Sequence, residues 1–534
     1  MTGTATEVEA SGWDSPGAVA GETIDTDVLI VGSGMGGGTL AYALRDSGFR
    51  VLIAERGQRL PREPENSSPS EVYLKHRYQN ADIWYNGKTG APFKPGVYYY
   101  VGGNTKVYGA CLPRFRASDF LATPTADGIS PAWPFSYSDL EPYYSEAEAL
   151  YQVRGDTGAD STEPPRSQPF PHPALDHEPT IARLAASFES QGLHPFRMAS
   201  GMQLDSQRDR ELCTTCDGAP CETGHKSDAE NRAIDPALTS ASVTLETGLR
   251  IDRLETDSSG RRVVAALAVK DDGTLVRVEA LTFVLAAGAV NSSVVLLRSA
   301  SEAHPAGLGN SSGLLGRNYM VHDSTFVVAL NPFRRNKTAW QKTLGMNDWY
   351  ESGPGRKHPL GNVQMLGKLA GPMLRMGARI VPIWLLDLVS KRTVDLYLTT
   401  EDLPRKENGV VLSSGRIEIH WTPTNVSAHQ TLVKRMRTAL HKAGYPFVLT
   451  KRMGIETNSH QCGTAVAGHD PATSVLTPEC RVHDVDNLFL ADSSFFPSSA
   501  ALNPALTIAA NALRIAPTVA SSTKALLRGG INAS

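Results

Sequence analysis

The apolar positions of this chain come in two styles. The first is a short unbroken apolar run: Asp27-Val-Leu-Ile-Val31, Arg50-Val-Leu-Ile-Ala-Glu55, Phe283-Val-Leu-Ala-Ala-Gly-Ala289 and Asn487-Leu-Phe-Leu-Ala-Asp492. Runs of this length, rich in branched residues and bounded by turn residues, predict strands buried on both faces, as in a parallel sheet. Helices are predicted at 35–47, from 289 to about 299, and at 503–521. The second style fills residues 320–420. There Val394-Asp-Leu-Tyr-Leu-Thr and Arg416-Ile-Glu-Ile-His-Trp alternate apolar with polar, which predicts antiparallel strands with one exposed face. A helix follows, with Asn425 as its N-cap and Gly444 as its stop.

Between these regions the pattern is less regular. Residues 58–100 predict loop with short elements, and an acidic helix is expected near 139–151. Residues 155–180 are polar and proline-rich and predict an exposed excursion, with a helix at 181–192. Strands are predicted at 242–256 and 262–270. Residues 1–25 predict a disordered tail. No internal repeat is evident. The organisation is an α/β unit contributed by both chain ends, with a mixed antiparallel segment inserted.

Length changes this picture little. At 534 residues, about three domains is the default, and one large domain with a long insertion is an equal alternative. The net charge of −3 gives no basic, phosphate-seeking surface, so nucleic acid is not an expected partner. Six cysteines are too few for a disulfide scaffold. The first 26 residues are acidic and lack a secretory pattern. The longest apolar patch, 378–389, is broken by Arg379 and Asp387 and is too short to span a bilayer. The expectation is a cytoplasmic protein with no membrane partner.

The candidate chemistry starts at Gly32-x-Gly34-x-x-Gly37, directly after the first run and at the start of the first helix. Such glycines allow a tight turn and close backbone approach, and the helix N-terminus offers free N–H groups to a pyrophosphate. Glu55 ends the second strand, where a carboxylate can accept bonds from ribose hydroxyls, which favours FAD or NAD over NADP.

Several further segments resemble the glucose–methanol–choline (GMC) oxidoreductases, in family order along nearly the whole chain. Val101-Gly-Gly-Asn-Thr-Lys-Val-Tyr-Gly109 resembles the loop over the isoalloxazine. Leu285-Ala-Ala-Gly-Ala-Val-Asn291 resembles the second FAD strand and turn, and Leu315-Gly-Arg-Asn318 a further family segment. Residues 487–492 followed by Asn503-Pro-Ala-Leu-Thr507 resemble the C-terminal signature. The resemblance is strongest to the pyranose-oxidase branch and its bacterial glycoside 3-oxidases. It implies an α/β FAD-binding Rossmann-like domain built from 26–150, 206–318 and 458–534. An inserted α+β substrate domain on a mostly antiparallel sheet would take 151–205 and 319–457. The implied cofactor contacts are Gly32, Gly34, Gly37, Glu55, Arg56, Gly103, Asn104, Thr105, Val107, Ile251, Ala287, Asp492, Asn503 and Thr507. Val107 stands where some pyranose oxidases carry a flavin-linked histidine, which implies non-covalent FAD. Tyr108 and Gly109 stand in place of the usual Trp and Thr.

Removing hydride from an alcohol needs a base for the hydroxyl proton and a donor for the developing alkoxide. The family motifs carry these roles to His460, in Ser459-His-Gln-Cys-Gly-Thr464, and to Asn503, in Leu502-Asn-Pro504. His469 and His483 lie nearby, in turns that read as surface. Cys213, Cys216, Cys221 and His225 have a spacing that could hold a metal, against a stapled loop or free thiols; no metal is expected. Residues 345–350 and 361–366 mix amides and aromatics, as a sugar site would. The function expected is FAD-dependent oxidation of a ring hydroxyl of a sugar or glycoside, C3 favoured over C2. Hydride would pass to flavin N5 and electrons to oxygen. The alternative is a dehydrogenase with a quinone-type acceptor.

Overall fold

The structure is a computed structural model that describes residues 12–14, 18–213, 217–353 and 355–531. The unbroken apolar runs form a five-stranded, wholly parallel sheet. Its order is Val243–Thr247, Val51–Glu55, Val28–Val31, Thr282–Leu285, Leu488–Leu490. Val28, Leu29, Ile30, Phe283, Val284, Leu488, Phe489 and Leu490 are fully buried, as a sheet covered on both faces requires. Strands from the beginning, middle and end of the chain are therefore neighbours. The first helix, Met35–Leu44, and the long C-terminal helix, Ala505–Ile531, pack together over this sheet.

The alternating region forms a six-stranded antiparallel sheet. Its order is Pro195–Arg197, Leu344–Met346, Asn362–Met365, Thr393–Thr400, Asp323–Leu330, Phe447–Arg452. All six strands fall within 151–205 and 319–457. Helix Val426–Lys442 packs its apolar side, including Leu432, Met436 and Leu440, onto this sheet. A small four-stranded sheet ties the two halves: Gly409–Ser413 and Arg416–His420 join Trp84–Asn86 and Pro92–Phe93.

Four expectations need correction. The strand expected at 242–256 is two strands in different sheets. It breaks at Gly248, whose φ of 67° is easy only for glycine. The tail expected over 1–25 includes an edge strand, Glu22–Asp25, that pairs in parallel with Leu275–Glu279, and Trp13 donates to the Ala268 carbonyl. The rest of that tail lies outside the described residues. Asn425 precedes its helix but does not cap it. It has φ 54°, and its amide instead accepts from Asp127 N–H and donates to the Glu401 carbonyl. Residues 155–180 are exposed only in part: 157–159 and 167–169 lie on the surface, but Asp160, Ala174 and Leu175 are buried, and Arg116 pairs with Asp160.

Candidate active site

The cofactor half is built from turns. Gly32 has φ 99°, and a Cβ on Gly36 or Gly37 would fall 1.7 Å from the Ala491 carbonyl oxygen or 2.0 Å from that of Gly32. These glycines let the helix start against two strands. Gly34 differs, because a Cβ there would meet nothing within 4 Å. It caps helix Met35–Leu44 with no side-chain bond, so the first helical N–H groups face open space. Gly103 lies opposite, its Cβ position 3.1 Å from Gly34 Cα. This open cradle at a helix N-terminus fits a pyrophosphate.

The two carboxylates of this half are largely used by the protein. Glu55 accepts from Ser33 N–H at 3.0 Å, Ser33 Oγ at 2.6 Å and Gly57 N–H at 2.8 Å. A carboxylate has about four lone-pair sites, so there is room for one ribose hydroxyl rather than two. Burial pushes its pKa up against these bonds. Asp492 accepts from Gly288 N–H at 3.0 Å, Ser292 Oγ at 2.5 Å and Ser494 N–H at 2.9 Å. It thereby joins the start of helix Ala289–Arg298 to the last strand. Arg56 forms a two-bond pair with Asp82 at 3.1 and 3.2 Å and stacks 3.6 Å over Tyr99, so it pins the 80–100 segment. Asn104 and Thr105 are also spent internally. Asn104 spans Gly96 O and Tyr98 N–H, and Thr105 spans Gly102 O and Ala229 N–H. What this loop presents to a ligand is backbone. Val107, Ile251 and Thr507 are buried, Thr507 against the Tyr144 hydroxyl at 2.7 Å. Ala287 donates its N–H to Ser292 Oγ at 3.1 Å.

The substrate half converges on His460 and Asn503. His460 Nδ1 lies 3.1 Å from Nδ1 of His322, and His322 Nε2 lies 3.2 Å from the Ser499 carbonyl. A carbonyl only accepts, so His322 Nε2 carries hydrogen. Burial pushes the His322 pKa down to about 4, so the ring is neutral and its Nδ1 is a lone pair. His460 must then donate from Nδ1, which leaves Nε2 with a free lone pair. Burial first, and then the electrostatic influence of neighbouring His322 and of the Lys342 ammonium, hold His460 well below the usual histidine value.

Asn503 is oriented by the same kind of logic. Its Oδ1 accepts from Gln364 Nε2 at 2.9 Å, so its Nδ2 remains to donate. Gln364 begins a chain of amides. Its Nε2 also lies 3.2 Å from Asn362 Oδ1, Asn362 Nδ2 donates to Asn347 Oδ1 at 2.8 Å, and Asn347 donates to Asp160 at 2.7 Å. The buried Gln364 Oε1 has no partner. Gln364, Asn362, Asn347, Asn503, Arg116 and Asp160 line one cavity. Gln364 pairs in register with Tyr397 on the neighbouring strand, and the Tyr397 ring lies 6.4 Å from that of His460. Directly paired residues share a face, about 5 Å apart at Cβ. The Tyr397 ring beside His460 and the Gln364 amide that holds Asn503 therefore stand at adjacent positions of one sheet.

Comparison with known proteins decides the family. Residues 99–324 and 404–512 match the N- and C-terminal parts of the GMC oxidoreductase family, and 30–62 match an NAD(P)-binding Rossmann-like domain. The paromamine 6'-oxidase of Streptomyces fradiae is 30% identical over 92% of this chain and 91% of its own length. This chain is a GMC oxidoreductase. The 6'''-hydroxyparomomycin C oxidase of Streptomyces lividus is 29% identical over 93% of this chain and 91% of its own. The fructose dehydrogenase large subunit of Gluconobacter japonicus is 27% identical over 95% and 100%. Among solved structures, an Aspergillus oryzae formate oxidase has TM-score 0.67 at 15% identity, covering 95% of this chain and 100% of its own.

As a GMC oxidoreductase the protein uses FAD and acts on CH–OH donors. Its Gly34 cradle and the Gly102–Gly103 turn are the places that fit the cofactor. Sequence reasoning missed His322 and Tyr397, which sit in no motif and act only by contact, and it named the 361–366 segment without singling out Gln364. The cysteine loop is partly visible. Cys213 Sγ lies 3.3 Å from His225 Nδ1, Cys213 and Cys221 are unpaired thiols, and Cys216 lies outside the described residues. Among the described residues no group of three or more His, Cys, Asp and Glu is arranged to hold a metal. His469 and His483 bond Pro134 O and Ser474 Oγ, away from this site.

Proposed function

We propose that this GMC oxidoreductase oxidises a secondary ring hydroxyl of a sugar or glycoside to the keto-sugar, with C3 preferred over C2. The observations that carry the reading are a buried His460 whose Nε2 keeps its lone pair and an oriented Asn503 amide on a cavity lined by buried amides. His460 Nε2 takes the hydroxyl proton. Asn503 Nδ2 donates to the oxygen as negative charge develops on it. Gln364 Oε1 and the Asn362 and Asn347 amides supply acceptors and donors for neighbouring hydroxyls, which suits a polyol ring. Bound FAD supplies the hydride acceptor, held non-covalently because Val107 has no nucleophile. Oxygen then takes the electrons to give hydrogen peroxide.

Support for the substrate class, and not for the ring position, comes from the relatives, three of which carry the names of oxidases or dehydrogenases of aminoglycosides or fructose. The fructose dehydrogenase favours a second reading, in which a quinone-type acceptor replaces oxygen. Five described cysteines are unpaired, which suits the cytoplasm. The test is anaerobic mixing of the holoenzyme with free sugars, O-glycosides and C-glycosides. Flavin bleaching and an NMR signal for a C3 ketone are expected. An aldehyde product would move the reaction to an exocyclic hydroxyl, and no bleaching by any carbohydrate would remove the substrate class. Reoxidation rates with oxygen and benzoquinone separate the acceptors.

A further inference from the structure

The apolar stretch near 378–389 is not used by the site described above. It forms helix Ile383–Ser390, preceded by the short helix Gly371–Arg375. Of the longer helix only Leu386 and Ser390 are buried. Ile380 is 95% exposed and Trp384 65%, and Met376, Leu385 and Leu388 are exposed beside them. Large exposed apolar side chains grouped in this way mark a docking surface rather than ordinary surface scatter.

A second segment extends the patch. The Arg392 guanidinium donates to the Leu388 carbonyl at 2.9 Å and to the Pro332 carbonyl at 3.2 Å, and Asn336 N–H donates to the Lys391 carbonyl at 2.8 Å. The 331–337 turn is thereby held against the end of the helix, and it carries Phe333, 93% exposed.

Charge decides what covers this face. Residues 370–392 hold Arg375, Arg379, Lys391 and Arg392 and a single acid, Asp387. That acid accepts from Gly371 N–H at 2.7 Å, which draws it inward. The 332–337 turn adds Arg334, Arg335 and Lys337 and no acid. The whole chain carries −3, so this excess of positive charge is local. A second copy of the chain would bring the same positive charge against it. An apolar face with Trp and Ile at its centre and Lys and Arg at its margin matches an anionic bilayer surface: apolar groups enter the headgroup boundary while the basic ones meet lipid phosphates.

We propose that residues 370–392, with the 332–337 turn, dock the enzyme peripherally on an anionic lipid surface. Docking here is compatible with the chain spanning no membrane: no described helix is long and apolar enough to cross one. It replaces the expectation of no membrane partner.

The test is co-sedimentation of the holoenzyme with vesicles of phosphatidylcholine, alone or with about 30% phosphatidylglycerol, an anionic lipid content within the reach of basic clusters. Binding is expected only to the anionic vesicles, with loss at about 0.5 M salt, where screening is within a few Å. Ile380→Ser with Trp384→Ser, and separately Arg379→Glu with Lys391→Glu, should each lower binding by about tenfold or more. All these side chains are on the surface, so flavin absorbance and melting temperature should not change. No binding to anionic vesicles at low salt, or equal binding by both variants, overturns the proposal. So does a concentration-dependent dimer in the absence of lipid that the Ile380/Trp384 variant dissociates, because that would assign the patch to a second copy.

Discussion

The two halves of the proposed active site are built in opposite ways. On the cofactor side the working groups are backbone: an uncapped helix start, an open cradle at Gly34, and a loop whose Asn104 and Thr105 side chains are turned to internal bonds. Side chains there stabilise turns. On the substrate side the working groups are side chains, and each is aimed by another side chain from a distant segment. His460 is aimed by His322, and Asn503 by Gln364. A backbone site tolerates loss of one carboxylate bond but not an added Cβ. A side-chain site tolerates conservative change in shape but not loss of an oriented proton donor or acceptor.

The sharpest break of this comparison is His460→Ala. General-base catalysis contributes about 10²–10⁴-fold, so flavin reduction should slow by that factor while FAD content is unchanged. Near-normal reduction would remove His460 from its role. Asn503→Ala should slow the same step by about 10²-fold, as loss of one oxyanion donor does. Gln364→Leu should then lower the rate by less, through misorientation of Asn503, and Asn503→Ala combined with Gln364→Leu should be far from additive. Independent, additive losses would show that Gln364 does not orient Asn503.

Gly34→Val tests the other half. Its Cβ would enter the open cradle without meeting protein and carry the branched side chain into the space of the pyrophosphate, so the expected product is a folded apoprotein lacking the flavin absorbance. A normally loaded Gly34→Val enzyme would place the pyrophosphate elsewhere. The smallest effect is on pH. A base must be neutral, and a solvent-exposed histidine loses that state near pH 6.5. His460 is held well below this and His322 near 4, so the reduction rate should stay flat through about pH 6.5 and fall only at clearly lower pH. A midpoint near 6.5 would show that the pair is not shielded. Burial of neutral His322 has a linked consequence. The unfolded chain takes up this proton from about pH 6.5 downward and the folded chain only near 4, so stability is lost as the pH falls through that window.

The cofactor half was the more legible in sequence, because its chemistry is local. Gly32, Gly34 and Gly37 lie within one turn, and an apolar run before them and a helix after them are visible in any single window. Less legible was how local groups are shared. Glu55 reads as a ribose ligand by position, and its position does not show that three of its bonds go to Ser33 and Gly57, leaving room for one ribose hydroxyl. The 155–180 segment reads as exposed because it is polar and proline-rich, and much of it is, yet Asp160 within it is buried by its pairing with Arg116 and Asn347. A polar residue carries no sequence mark of whether its partner is water or protein.

The parallel core and the dinucleotide turn are legible in the sequence alone, because period and glycine placement act over a few residues. His460 and Asn503, the proposed reacting pair, come from the resemblance to the GMC motifs. Which nitrogen of His460 keeps its lone pair, and which end of the Asn503 amide is left to donate, follows only from the folded chain. Those choices are made by Ser499, His322 and Gln364, which reach the site from separate segments. A hydrogen bond's direction is set by its whole chain of partners, and that chain exists only once the strands have paired.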